Sequence, residues 1–194
     1  SMDMWREDLA CVAKWLVDTY SPKEVHIFAM RSAALFCGLL DVAILPVRSW
    51  VLWSPIDRGS KLVRDLFRQA LIVARNQGNA TVTSKSLREK LSEDGSFEIS
   101  GYSLPADLVA DLENACLPDE LSTDVDAFWF DVRPGIGPDA PVREPQRVMR
   151  WRQAGVDVDY RVFDGPPFWH TAEISTVPDL IEATTTALVE TSRA

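Results

Sequence analysis

The sequence predicts an α/β fold: a mostly parallel sheet of about four strands in sequential order, with helices on both faces. Three observations predict it. Short runs rich in β-branched and aromatic residues, at 24–29, 49–54, 126–132 and 156–163, have the length and composition of buried strands. Between them, apolar residues recur at helical spacing. Turn formers mark the transitions: Ser21-Pro22, Pro55, Asn76-Gln77-Gly78, the Pro/Gly-rich stretch 133–141 and Gly155.

In chain order, residues 3–19 place Trp5, Leu9, Val12, Ala13, Leu16 and Val17 along one helical face, with Asp3 as N-cap. Strand 24–29 follows, then a helix over 32–42. Strand 49–54 is closed by Pro55 and leads into a long helix, 58–76. That helix carries Arg58, Lys61, Arg64, Arg68 and Arg75 near Asp57 and Asp65, the pattern of a solvated face. Residues 77–122 are more polar and read as a lid-like helical insertion within a single domain spanning 2–194. Inside it, Ser86-Leu87-Arg88-Glu89 has capping-box form and predicts a helix over 85–92. Phe97-Glu98-Ile99 reads as a small strand, and Pro105 opens a helix to 115. The strand–helix rhythm resumes with strand 126–132, helix 143–154 and strand 156–163. Val177-Pro178 opens the last helix, which runs to about Thr191.

Bulk properties exclude several functions. With 20 Lys and Arg against 29 Asp and Glu, the net charge is −9, which argues against nucleic acid as a partner. The 3 cysteines, Cys11, Cys37 and Cys116, are odd in number, widely spaced and set among apolar residues. Buried free thiols in a reducing, cytoplasmic compartment are expected. Only 2 histidines are present, so no histidine-based metal centre is expected, and no cofactor is implied. No run approaches the ~18 apolar residues of a membrane span, and the first residues lack the pattern of a signal peptide.

Ligands bind at the carboxyl ends of parallel strands, here the loops 29–33, 55–59, 133–141 and 164–171. The stretch Val25 to Phe36 has the outline of a strand, a sharp turn and a helix, with Ala29 and Ala33 two positions either side of Arg31. Hydrolases hold their nucleophile at such a turn. Arg31 stays protonated and cannot be one. Its guanidinium suits a carboxylate or phosphate ligand; the plainer alternative is an ion pair with Asp57, Asp139 or Glu173. Ser32, in the first turn of the following helix, is read as a cap or packing residue, with a nucleophilic role as the alternative. His170 follows Phe168-Trp169, and Trp169 is a candidate pocket wall; the other tryptophans are expected in the core. His26, inside a strand, is expected to be a satisfied core or sheet-face residue.

The order of these stretches resembles the C-terminal part of an α/β-hydrolase. Ala29, Arg31 and Ala33 take the places of first glycine, nucleophile and second glycine in the family's elbow. Residues 133–141 fall where the acid loop lies, and 164–171 where the histidine loop lies. More closely, "WREDLACVAKWL", "AMRSAALF", "LWSPIDRG", "ISGYSLPADLVADL", "AFWFDV" and "GPPFWHTAEISTVPDLIEATTTAL" are similar to the exosortase-system-associated hydrolases, second type, from Trp5 to about Leu188. Members of that group also tend to carry Arg at the elbow apex. The resemblance starts midway along the family's chain, so the domain is expected to lack the family's N-terminal strands. Strand 24–29 would then be an exposed sheet edge that pairs with a second copy or a partner chain.

Three readings follow. The first is a degenerate hydrolase-like domain without efficient serine hydrolase chemistry, binding a small anionic ligand or partner through Arg31, with Asp57, Trp169 and Glu173. The second is an esterase or acyl-transfer enzyme using Ser32, His170 and Asp139. The third is a structural or assembly module with a vestigial site. The enzyme requires Ser32 within hydrogen-bond reach of His170. The binding domain requires Arg31 in an open pocket, and the structural module requires Arg31 locked by its neighbours.

Overall fold

The computed structural model describes residues 1–40, 44–79, 81–99, 101–137, 140–171 and 173–192. Four parallel strands form the central sheet in the order β1 (Val25–Met30), β2 (Val47–Trp53), β5 (Asp126–Arg133) and β6 (Val158–Asp164). Ala29, Leu52, Trp129 and Tyr160 lie in one row across the sheet, and Phe28, Val51, Phe128 and Asp159 in the adjacent row. Successive side chains therefore alternate between two faces. Because β2 and β5 are covered on both faces, their sequences are nearly continuous apolar runs rather than alternating ones.

Every connection moves the chain one strand onward in the same direction. Right-handed crossovers then place the 3-10 helix Arg31–Leu39 and α5 (Gln146–Gln153) on one face. Ala34 and Cys37 from the former, and Val148 and Trp151 from the latter, close a core over Ala29, Trp50, Leu52, Ala127 and Trp129. The opposite face is covered by α6 (Pro178–Thr191), whose Leu180 and Ala187 pack on Phe130 and Val132. The indole N–H of Trp53 donates to Thr184 Oγ1 at 2.9 Å and pins α6 to β2.

The expected helix over 32–42 is instead a 3-10 helix ending at Leu39; residues 41–43 lie outside the described residues. Nine residues is long for this tighter winding. Its outer side meets the chain closely: a Cβ added at Gly38 would lie 2.8 Å from the Cys116 carbonyl oxygen.

The region 77–122 is more than a helical insertion. It holds α3 (Ser84–Asp94), a hairpin of β3 (Ser96–Ile99) and β4 (Tyr102–Pro105), and α4 (Ala106–Asn114). Together with α2 (Gly59–Asn76) and Met2 of α1 (Met2–Tyr20), it builds a second core around Val63, Phe67, Phe97 and Leu112. The capping box of α3 is reciprocal between Thr83 and Ser86, three residues before the expected one. The cationic run of α2 is exposed, as a solvated face would be.

Two expectations about burial fail. Cys37 is buried, with its thiol pushed up to about 12 by burial, but Cys11 and Cys116 are exposed. On α1, only Met2 and Ala13 are buried, while Trp5 and Trp15 are 39% and 55% exposed. Most of the apolar face of α1 is left uncovered, so the helical periodicity did not translate into burial. Among the described residues, no helix is long and apolar enough to cross a membrane, and no group of His, Cys, Asp and Glu could hold a metal ion.

Candidate functional site

The turn after β1 is built on backbone strain. Arg31 has φ +54°, a left-handed conformation that costs a non-glycine residue about 1–2 kcal/mol. Met30 ends the strand in extended backbone, and the 3-10 helix begins at Arg31 itself. This is the sharp strand-to-helix reversal expected from the sequence, with Arg31 at its apex. Ser32 is the residue beyond the apex.

The Arg31 side chain is held from two directions. Its Nη1 donates to the Ser54 carbonyl oxygen at 2.9 Å. Its guanidinium carbon sits 4.8 Å from the centre of the Trp169 ring, a cation–π contact. The Arg31 carbonyl also accepts from the Ile56 N–H at 3.0 Å. Half-burial pulls the guanidinium down from its ordinary value, opposed by the charges of Asp65 and Asp131. The group nevertheless stays protonated at working pH.

Ser54, the acceptor, is itself shaped for the task. It is buried, has φ +41°, and ends β2. Its N–H donates to the Phe130 carbonyl at 2.7 Å, and its Oγ accepts from the Val132 N–H at 2.9 Å. The side chain thus continues the ladder to β5 where the backbone of β2 turns away, and the kink leaves the Ser54 carbonyl free to face Arg31.

The other candidates do not converge on this turn. Asp57 pairs with Lys61 one helical turn on, rather than with Arg31. Trp169 is brought to Arg31, on a short 3-10 turn (Phe168–His170) with Phe168 beneath it. His170 is exposed, and its ring centre lies 6.2 Å from that of Trp169. Ser32 is half-buried, and no hydrogen bond joins it to His170 among the described residues. Glu173 is exposed and forms no ion pair among the described residues. Asp139 lies outside the described residues. None of the principal cavities is lined by Arg31, Ser32, Trp169 or His170. His26 is satisfied on both ring nitrogens, by Ser49 and Ser192.

A polar cluster gathers around Asp131 near the turn. Asp131 accepts from the Trp129 indole, from Arg133 and from the Tyr160 hydroxyl, each at 3.1 Å. Burial and the neighbouring Asp131 charge push the Tyr160 phenol up to about 12, with Arg133 opposing. Trp129, Asp131 and Arg133 stand on one side of β5 at period two, a signal present in the sequence.

No family model matches the chain, and no curated protein matches it. Among solved structures, the chain is similar to the thioesterase domain SrfTE, described as the structural basis for cyclization of the lipopeptide antibiotic surfactin. The likeness has 13% identity and a TM-score of 0.42, over 97% of this chain and 75% of that one.

Proposed function

We propose that this protein is a degenerate α/β-hydrolase-like domain, a binding and assembly module without serine hydrolase chemistry. The observation that carries the reading is the apex of the strained turn. It holds Arg31, and Arg31 is occupied: one nitrogen by the Ser54 carbonyl, one face by Trp169. The turn geometry of a nucleophile elbow is kept while the nucleophile is replaced by a cation that ties the ends of β1 and β2 to the loop after β6. The sequential parallel strands, with connecting helices on one face and α6 on the other, support the hydrolase-like origin. Of the readings open from sequence, a site turned to structure is favoured over a ligand clasp at Arg31, because none of the principal cavities among the described residues is lined by Arg31.

The reading includes self-association. Among the described residues, β1 pairs with β2 on one side only, and its Phe28 is 53% exposed. An unpaired edge of this kind recruits another strand.

The test is intact-mass labelling with a fluorophosphonate, a probe that reports an activated serine largely irrespective of substrate. No adduct is expected on the native chain. A single adduct that disappears in Ser32→Ala would overturn the proposal and establish the esterase reading.

A further inference from the structure

A second site lies at the carboxyl end of the sheet, between the loop after β2 and the start of α5. There a cleft of about 460 Å³ is lined by Arg58, Lys61, Arg147 and Arg150, with Asp57 as the one carboxylate. It adjoins a smaller cleft, about 250 Å³, that shares Arg58 and Arg147 and has Asp119 and Glu113 on its walls. Such a gathering of cations is unexpected in a chain whose net charge is −9.

The decisive residue is Arg147. Its side chain is only 4% exposed, and its Nη1 makes no hydrogen bond among the described residues. That nitrogen does lie 2.8 Å from Asp119 Oδ1, but the approach is off the N–H direction and gives charge contact alone. Asp119 is divided, since Arg150 donates to the same oxygen at 3.3 Å, and its carboxylate is 62% exposed. A buried guanidinium with an unused donor is costly unless a partner supplies the acceptor.

The backbone makes the arrangement more unfavourable still without an anion. Arg147 sits in the first turn of α5, which has no acidic residue there and no side-chain cap. A helix N-terminus carries partial positive charge and favours anions. Arg147 in that first turn adds a full charge to the positive end. A phosphoryl group placed there would meet the uncapped N-terminus of α5, the fork of Arg147 and the exposed cations Arg58 and Lys61 together. Lys61 is paired with Asp57, and Arg147 and Arg150 share Asp119, so four cations here meet two carboxylates and positive charge is in excess.

We propose that this cleft binds the phosphate of a phosphorylated small molecule. Lys61 is paired with Asp57 and is exposed at the rim, as is Arg58. The cleft exceeds the size of a bare phosphate, which leaves room for the group that carries it; cavities of this size hold small metabolites. The site is separate from Arg31 and stands whether or not the turn after β1 has chemistry.

The test uses the full chain and two probes, inorganic phosphate and glycerol 3-phosphate, with chloride at matched ionic strength as reference. Thermal unfolding and calorimetric titration read binding. Both probes are expected to raise the melting temperature beyond chloride, by the mass-action stabilisation of the folded state. Arg58→Ala and Lys61→Ala, at exposed positions that leave the core intact, are each expected to weaken binding about tenfold. Arg75→Ala, on the same helix away from the cleft, removes equal charge and is expected to leave it unchanged. Equal stabilisation by phosphate and chloride overturns the proposal, as does phosphate binding that survives in the Arg58→Ala, Lys61→Ala double variant.

Discussion

Arg31 shows how one residue can be both strained and stabilising. Its left-handed backbone is unfavourable, yet its side chain joins three segments that are distant in sequence. A hydrogen bond from a charged donor contributes about 1.5–3 kcal/mol, which outweighs the conformational cost. Arg31→Ala is therefore expected to lose about 1–3 kcal/mol in urea unfolding, and Arg31→Gly about 1 kcal/mol less than that, because glycine accepts the positive φ. Equal losses would mean the side chain contacts matter and the strain does not; no loss in either would leave Arg31 free for a ligand. Tyr160 offers a titration test at the same scale. Its phenol is raised in the folded protein, so folding favours the neutral form. Stability from this group is full below the ordinary phenol range near 10 and is lost as pH rises toward about 12. Absorbance titration of the folded chain should show a tyrosine step near 12 that Tyr160→Phe removes. A step that persists in the variant would assign it elsewhere.

At the scale of elements, the close packing of α2 against α4 is set by a single hydrogen atom. Gly59 opens α2, and a Cβ there would lie 1.6 Å from the Leu112 carbonyl oxygen of α4. The conflict is with backbone, so no rotamer change relieves it. Gly59→Ala is expected to cost about 3 kcal/mol, the upper part of the overpacking range, and hydrogen exchange should quicken in α4 before the central sheet. Uniform exchange across both would mean that the two cores unfold as one. This closeness was not legible in the sequence, where Gly59 reads only as a helix start. The strands of the sheet were legible to within about two residues because their burial is continuous. The α3 cap was misread because Thr83 and Ser86 serve each other, and Ser86-x-x-Glu89 imitates the usual motif. Strand β4 was missed because Tyr102 to Pro105 is only 4 residues long and ends in proline, too short for its alternation to be read as a strand. The apex at Arg31 was legible from the small residues around it, but its acceptor is a main-chain carbonyl, which no residue type announces. Arg147 escaped notice for a related reason. Spaced three residues from Arg150, it resembles a surface cation, and its ion-pair partner Asp119 lies on a loop distant in sequence.

At the scale of the whole molecule, the open side of β1 decides what the surface does. The Val25 N–H donates toward Pro46 on the β2 side at 2.8 Å. By strand alternation, His26, Phe28 and Met30 turn their backbone donors and acceptors outward. Beside this edge, α1 and the 3-10 helix leave a groove of about 550 Å³ walled by Leu9, Val12, Ile27, Phe28 and Phe36. Val12 and Trp15 are 59% and 55% exposed along the same helix. Backbone groups seeking a strand and an apolar trough to receive its side chains are the two requirements of edge pairing. A second copy meets both, since two β1 strands related by a two-fold axis run antiparallel and each fills the other's need. Light scattering at micromolar concentration should therefore show a dimer that dissociates on dilution. Phe28→Lys puts a charge on the pairing edge, a device natural sheets use against such contacts. It should yield a monomer with unchanged circular dichroism. A native chain that is monomeric throughout the concentration range would show that the groove on its own is too shallow to hold a strand, and would leave the exposed aromatic face of α1 without a role in self-assembly.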